Sequence, residues 1–219
     1  MKPLTIDLVS DVNCPWCAIG LNALLQALDE LRPELQVTLR FQPFELNPDM
    51  PPEGEDRLDH LMRKYGRSAD ELAANWRAIQ ERGAQLGFEF GPQQGRRIHN
   101  SFDAHRLIHW AGLQSEAAQL AMKQALLAAN FTQGENIDDP AALLRAVQAA
   151  GLDVEAARAV LDSQQFADEV RRQEGFFQRA GIQSVPAFVI NHRHLISGGQ
   201  PPEVFVQALR QLAQAPDAA

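Results

Sequence analysis

The tetrapeptide Cys14-Pro15-Trp16-Cys17 restricts this chain more than any other feature. It holds the only two cysteines in 219 residues, so no disulfide framework supports the fold. Leu4 to Val9 reads as a short strand, and Ser10-Asp11-Val12-Asn13 breaks it with turn formers. After the pair, Ala18, Leu21, Leu24, Leu25 and Leu28 recur at spacings of three and four until Arg32-Pro33. That pattern predicts a helix opening at Cys14. Gln36 to Phe41 alternates polar and apolar as a second strand. Strand, helix, strand is a βαβ unit with the cysteines at its first turn.

That placement has chemical consequences. Residues three apart share a helix face, so Cys14 and Cys17 can approach disulfide distance. Unpaired N–H groups and the positive dipole end at a helix start favour a thiolate at Cys14. Cys17, one turn further in, is expected to be more covered. Cys14 then exchanges with a substrate disulfide and Cys17 resolves the mixed disulfide. Pro15 stiffens the turn, tunes the redox potential, and costs no helix bond. Trp16 offers an apolar surface beside the sulfurs. The alternatives are a purely structural pair and a zinc site. Zinc needs two further ligands, and neither His105 with His109 nor His192 with His194 follows a knuckle pattern, so no metal is expected.

The rest of the chain has a different texture. From about Arg57 to about Ala180 nearly every periodic segment is helical. Ser68-Ala69-Asp70-Glu71 has the capping-box pattern, Pro140 fits a first helical position, and Gly151 fits a helix stop. Trp76, Trp110, Phe176 and Phe177 read as core. Arg96 and Arg97, with Arg106 nearby, offer positive charge for an acidic peptide or for glutathione carboxylates, but the preferred reading is a solvated loop. His105 reads as a solvated or hydrogen-bonded helix residue rather than a proton shuttle. Ala187 to Ile190 and His194 to Ser197 form a hairpin around Asn191-His192-Arg193, and Glu203 to Leu212 is a final helix. Gln214 to Ala219 reads as a frayed tail. Val185-Pro186 precedes the hairpin, a place for proline at a sheet edge. A cis bond there would expose the Val185 backbone to an extended chain.

Composition narrows the partners. Lys and Arg total 20 against 28 Asp and Glu, a net charge of −8, which argues against nucleic acid and anionic membranes. No apolar run approaches the roughly 18 residues of a membrane span. Asp7 interrupts any signal-peptide core, so the expected location is the cytoplasm.

Several stretches, in this order, resemble FrnE-like members of the DsbA-like branch of the thioredoxin superfamily. They are Asp11 to Gly20, Phe41-Gln42-Pro43-Phe44-Glu45-Leu46-Asn47-Pro48, Asn100-Ser101-Phe102-Asp103-Ala104-His105-Arg106-Leu107, Ser184 to Ile190, and Ser197-Gly198-Gly199-Gln200-Pro201. The resemblance implies an α/β thioredoxin-like fold with a large all-helical insertion. The divisions are residues 1–56 with 181–219 as a discontinuous thioredoxin-like domain, and 57–180 as the insertion. It implies a cis peptide at Val185–Pro186 against Cys14, and disulfide oxidoreductase or isomerase activity with no bound organic cofactor. Phe44, Asn47, Asn100, His105, Val185 and Pro186 are then the substrate-binding candidates, with Asn47, Asn100 and His105 facing the groove. Thiol- or disulfide-containing proteins and peptides are the expected partners, with glutathione as a possible co-substrate. A monomer and a homodimer are both compatible. The same branch holds glutathione-dependent kappa-class transferases and chromene-carboxylate isomerases, the alternative reading. Those commonly carry serine at the first cysteine position, whereas this chain has both cysteines.

Overall fold

A computed structural model describes residues 3–92 and 94–214. The chain runs β1 (Pro3–Ser10), α1 (Pro15–Leu31), β2 (Gln36–Pro43), β3 (Glu55–Asp56), α2 (Arg57–Tyr65) and α3 (Ala69–Gln85). It continues through β4 (Arg97–Ile98), α4 (Phe102–Gly112), α5 (Glu116–Ala128) and a π-helical turn at Ala129–Gln133. Then come α6 (Pro140–Ala149), α7 (Val154–Leu161), α8 (Ala167–Arg179), β5 (Ala187–Ile190), β6 (His194–Ser197) and α9 (Pro202–Gln214).

The main sheet has the order β2-β1-β5-β6. β1 pairs parallel with β2 from Pro3 opposite Gln36 to Ser10 opposite Pro43, and α1 supplies the crossover that parallel strands need. β5 pairs antiparallel with the other side of β1, from Ile6 opposite Ile190 to Val9 opposite Ala187. Two distant chain segments therefore complete one sheet. Leu4, Ile6, Leu8 and Val9 are all buried, because both faces of β1 are covered. On one face α1 and α9 pack, with Phe205 edge-on to Phe188 at 4.7 Å. On the other, Phe177 of α8 joins Val9, Phe44 and Ala187.

Gly20 permits the close approach of α1. A Cβ there would lie 2.9 Å from Phe188 and 3.1 Å from Pro186. β2 is a sheet edge, with backbone groups in need of partners. Gln119 of α5 satisfies one pair: its Oε1 accepts from Phe41 N at 3.1 Å and its Nε2 donates to Phe41 O at 3.3 Å. Helices α3 to α7 thus share one apolar core with the sheet.

The structure departs from the sequence reading in places. The segment 57–180 is not all helix, because β4 pairs with β3 through Glu55–Ile98 and Asp56–Arg97. Two-residue strands are too short to show alternation. β5 is an interior strand, so Pro186 tolerates its position by lying just outside the ladder, not by lying at an edge. Phe176 is not core but 59% exposed, while Phe177 is 7% exposed. Neighbours on a helix point about 100° apart, so only one of them faces the sheet. Trp76 and Trp110 are partly buried. Gln214 closes α9, and the rest of the expected tail, 215–219, lies outside the described residues.

Arg96, Arg97 and Arg106 are not merely solvated. Arg96 donates to Asn130 O at 2.7 Å, and Arg97 to Glu53 O and Gly54 O. Arg106 is buried and donates to Asp103 Oδ1 at 2.7 Å and to the carbonyls of Gln165, Val160 and Ser163. A guanidinium can serve several carbonyls that a helix end leaves unpaired.

Candidate active site

β1 ends in a tight turn, closed by Cys14 N donating to Asp11 O at 3.2 Å. Cys14 is the N-cap of α1, with extended backbone at φ −99° and ψ 112°. Pro15 takes the first helical position, and no side chain caps the helix. Cys14 O accepts from Cys17 N at 3.0 Å. Both thiols are free, Cys14 5% exposed and Cys17 fully buried. The Cys14 thiol lies 3.6 Å from Val185 O, and the Val185–Pro186 peptide is cis.

Beneath the pair lies a buried polar layer. Asp11 Oδ1 accepts from Asn13 N at 3.0 Å and Oδ2 from Leu46 N at 2.7 Å. The same carboxylate lies 3.5 Å from His105 Nε2, which also contacts Phe44 O at 3.1 Å. Burial pushes Asp11 up, but His105 and the two backbone amides outweigh it and hold the carboxyl below its ordinary value. Burial first, then the hydrogen bond and charge of Cys14, push the Cys17 thiol well above its ordinary value. The charge of Lys123 and the Asp11 backbone act the other way. Lys123 reaches this layer from α5 and is itself fully buried. Burial lowers its ammonium, against the charges of Cys17, Asp11 and Cys14.

Above the pair opens a cleft of about 900 Å³, with Cys14, Pro15 and Trp16 on one side and α2 and α3 on the other. Asp56 caps α2 by accepting from Leu58 N and Asp59 N, and Gly66 ends it in the left-handed region at φ 63°. The spacing i, i+3, i+4, i+7 puts Arg57, His60, Leu61 and Lys64 on one face, and all four line the cleft. Asn47 clamps this helix to the loop after β2. Its Oδ1 accepts from Lys64 Nζ at 2.7 Å and lies 3.1 Å from His60 Nε2. Burial, Arg96 nearby, and opposing contributions from Tyr65 and Cys14 leave Arg57 lowered to about 10, still a cation at neutral pH.

The residues singled out from sequence therefore divide. Cys14, Pro15, Trp16 and Asn47 line the cleft, and Val185 meets Cys14 at its carbonyl. Pro186 touches α1 at Gly20. Phe44, Asn100 and His105 do not line the cleft. Phe44, the first residue after β2, is buried in a cluster with Val9, Phe177 and Ala187. Asn100 Oδ1 accepts from Phe102 N at 2.7 Å, at the start of α4, and its Nδ2 reaches Glu45 Oε1 at 3.2 Å. His105, expected to face the groove, is 2% exposed because α4 turns it inward onto Asp11. Arg57, Lys64 and Lys123 are not singled out by the sequence, and Trp76 reads there only as core. The first two carry a helical stripe that could have been read, and Lys123 interrupts the apolar face of α5 beside Leu126 and Leu127.

Comparisons with known proteins agree over nearly the whole chain. YwbO of Bacillus subtilis is 26% identical over 208 residues, 93% of this chain and 94% of its own. The crystal structure of a probable DsbA oxidoreductase from Streptomyces coelicolor superposes with a TM-score of 0.87 at 32% identity, covering 99% of this chain and 93% of that one. The cytosolic disulfide reductase DsbM from Pseudomonas aeruginosa, solved with GSH, shares the fold at a TM-score of 0.65 and 18% identity, over 96% of this chain and 100% of its own. The model of the DSBA-like thioredoxin domain matches residues 5–210, spanning the cysteine turn, the helices and the late hairpin, and the chain accordingly belongs to the DSBA-like thioredoxin domain family.

Proposed function

We propose that the protein is a thiol–disulfide oxidoreductase that cycles Cys14 and Cys17 between dithiol and disulfide through a mixed disulfide. One observation carries the reading: of two free cysteines one helical turn apart, one borders a cleft and the other is sealed beneath it. The Cys14 thiolate attacks one sulfur of a substrate disulfide. That bond breaks, the far sulfur leaves and is protonated, and a Cys14–substrate disulfide forms. Cys17 then loses its proton and attacks Cys14, releasing the second substrate thiol. The substrate gains two electrons and the cysteine pair loses two. The reverse sequence oxidises or, after partial reversal, isomerises.

Cys17 must ionise where burial opposes it, so the second step depends on its buried neighbours. In this reading the Lys123 ammonium steadies the Cys17 thiolate and Asp11 holds the turn. Val185 and Pro186 border the exchanging sulfur, Pro15 and Trp16 shape its surroundings, and Asn47 keeps α2 over the cleft. Asn100, Phe44 and His105 support that geometry from below. Residues 1–56 with 181–219 act as the thioredoxin-like part and 57–180 as the part that roofs it. Glutathione is a fitting co-substrate, because cationic side chains line the cleft and DsbM was solved with GSH. A cytoplasmic setting accords with the cytosolic DsbM.

Cys14→Ser should abolish insulin reduction and disulfide reshuffling, and Cys17→Ser should trap mixed disulfides on Cys14, visible by mass spectrometry. Unchanged turnover in Cys14→Ser refutes the reading. Glutathione-dependent isomerisation of a small aromatic substrate that survives Cys17→Ser would favour the chromene-carboxylate isomerase alternative instead.

A further inference from the structure

Arg57 opens α2 at the wall of the cleft. Its guanidinium lies 5.0 Å from the Trp76 ring centroid, and among the described residues it has no carboxylate or carbonyl partner. It is partly buried, and it lines the same cleft as Cys14. The Trp76 indole N–H is buried beside it, also with no acceptor among the described residues. A guanidinium stacked on a ring keeps its in-plane N–H fork free, and that fork matches a carboxylate.

The charge around it is one-sided. Arg57, Lys64, Arg67 and Arg77 line the cleft against the single carboxylate of Asp70. Lys64 donates to Leu46 O and Asn47 Oδ1, which are neutral, so its charge is not cancelled. Arg67 lies 3.7 Å from Glu71 and is the one partly compensated. The chain as a whole carries −8, so the cleft reverses the sign of its own protein. Such a reversal draws anions to the place where the thiol waits. The volume, about 900 Å³, lies within the range of roughly 300–1,000 Å³ typical of small-molecule sites.

We propose that the cleft selects low-molecular-weight disulfides bearing carboxylates, and that Arg57 binds the carboxylate while Cys14 attacks the sulfur. This deepens the dithiol reading above and rests on it. The exchange is the one already balanced: the probe disulfide takes two electrons, the Cys14–Cys17 pair gives them, and the probe leaves as two thiols.

The test compares disulfides that differ in charge. Fully reduced protein is mixed with dithiodiglycolate, which is dianionic, or with cystamine, which is dicationic. Rates of oxidation are followed by mass spectrometry and divided by those of free mercaptoethanol with the same probe, which removes intrinsic reactivity. The anion-to-cation ratio should be about tenfold or more near 10 mM salt and should fall toward one near 1 M, where the screening length is only about 3 Å. Arg57→Gln should collapse the ratio by about tenfold, the loss of one charge-assisted bond, and Arg57→Lys should restore part of it. A merely structural defect slows both probes together and leaves the ratio alone. Arg145→Gln, a change at an exposed arginine of α6 paired with Glu135, should leave it alone as well.

A wild-type ratio near one overturns the proposal and spares the dithiol chemistry. A ratio that survives in Arg57→Gln overturns the role of Arg57. Absence of reaction with both probes in the wild type overturns the dithiol reading itself. Should Arg57→Gln not fold, the salt dependence of the wild type decides the selectivity alone.

Discussion

Arg106, buried on α4, and Arg57, half-buried at the cleft, hold their guanidinium groups differently. On the α4 side Arg106 is saturated by Asp103 and three backbone carbonyls. On the α2 side Arg57 has a tryptophan ring and, among the described residues, no acceptor. The first arrangement closes the packing of α4 against α7 and the start of α8. The second leaves donors pointed at a cleft. One wall satisfies a buried guanidinium fully, and the other leaves a half-buried one open to the cleft, the difference expected between a group that holds the fold and a group free to bind.

The contrast can be broken most directly by removing each arginine. Arg106→Met should cost at least about 3 kcal/mol in urea unfolding, because it strands Asp103 and several carbonyls. Arg57→Met should stay within about 0.5 kcal/mol of wild type, since nothing is left unpaired. Equal losses would erase the distinction.

Lys123 sharpens it, as a buried charge kept on the catalytic side of the comparison. Its ammonium is lowered by burial, so at any pH below that lowered value the charged form opposes folding. Stability should therefore rise with pH from the lowered folded value toward about 10.4. Lys123→Met should unfold later at pH 7, by about 1 kcal/mol or more, yet prolong the mixed disulfide by leaving the Cys17 thiolate unsupported. A less stable variant with unaltered resolution would remove Lys123 from this account.

Asp11 runs in the opposite sense. Its folded value lies below its unfolded one, so its contribution is complete above about pH 4 and is lost as pH falls through the folded value. Acid unfolding curves of Asp11→Asn should be flatter than wild type in that window. At the wall of the cleft, Ser68→Ala removes the capping box of α3 and should cost about 1 kcal/mol by thermal unfolding.

Much of this was readable because its cause is local. A turn followed by a helical period put Cys14 at the mouth of α1 and Cys17 a turn inside. Serine, proline and glycine marked Ser68, Pro140 and Gly151 at the helix ends. What failed was long-range. Nothing in the neighbourhood of His105 says that Asp11, Phe44 and Leu46 will close over one another. Phe176 and Phe177 look alike until the sheet selects one. β3 and β4 exist only because residues 55–56 and 97–98 meet.

The sequence by itself determined the cysteine pair, its place at a helix start and the order of strands and helices, since backbone preference and side-chain period act over a few residues. Tertiary structure alone decided what faces the Cys14 thiol across the cleft, which arginines are satisfied, and that Lys123 lies buried near Cys17. Those outcomes depend on burial and on the electrostatics of groups brought together from separate elements, Lys123 and Cys17 from over a hundred residues apart, and no local pattern encodes them.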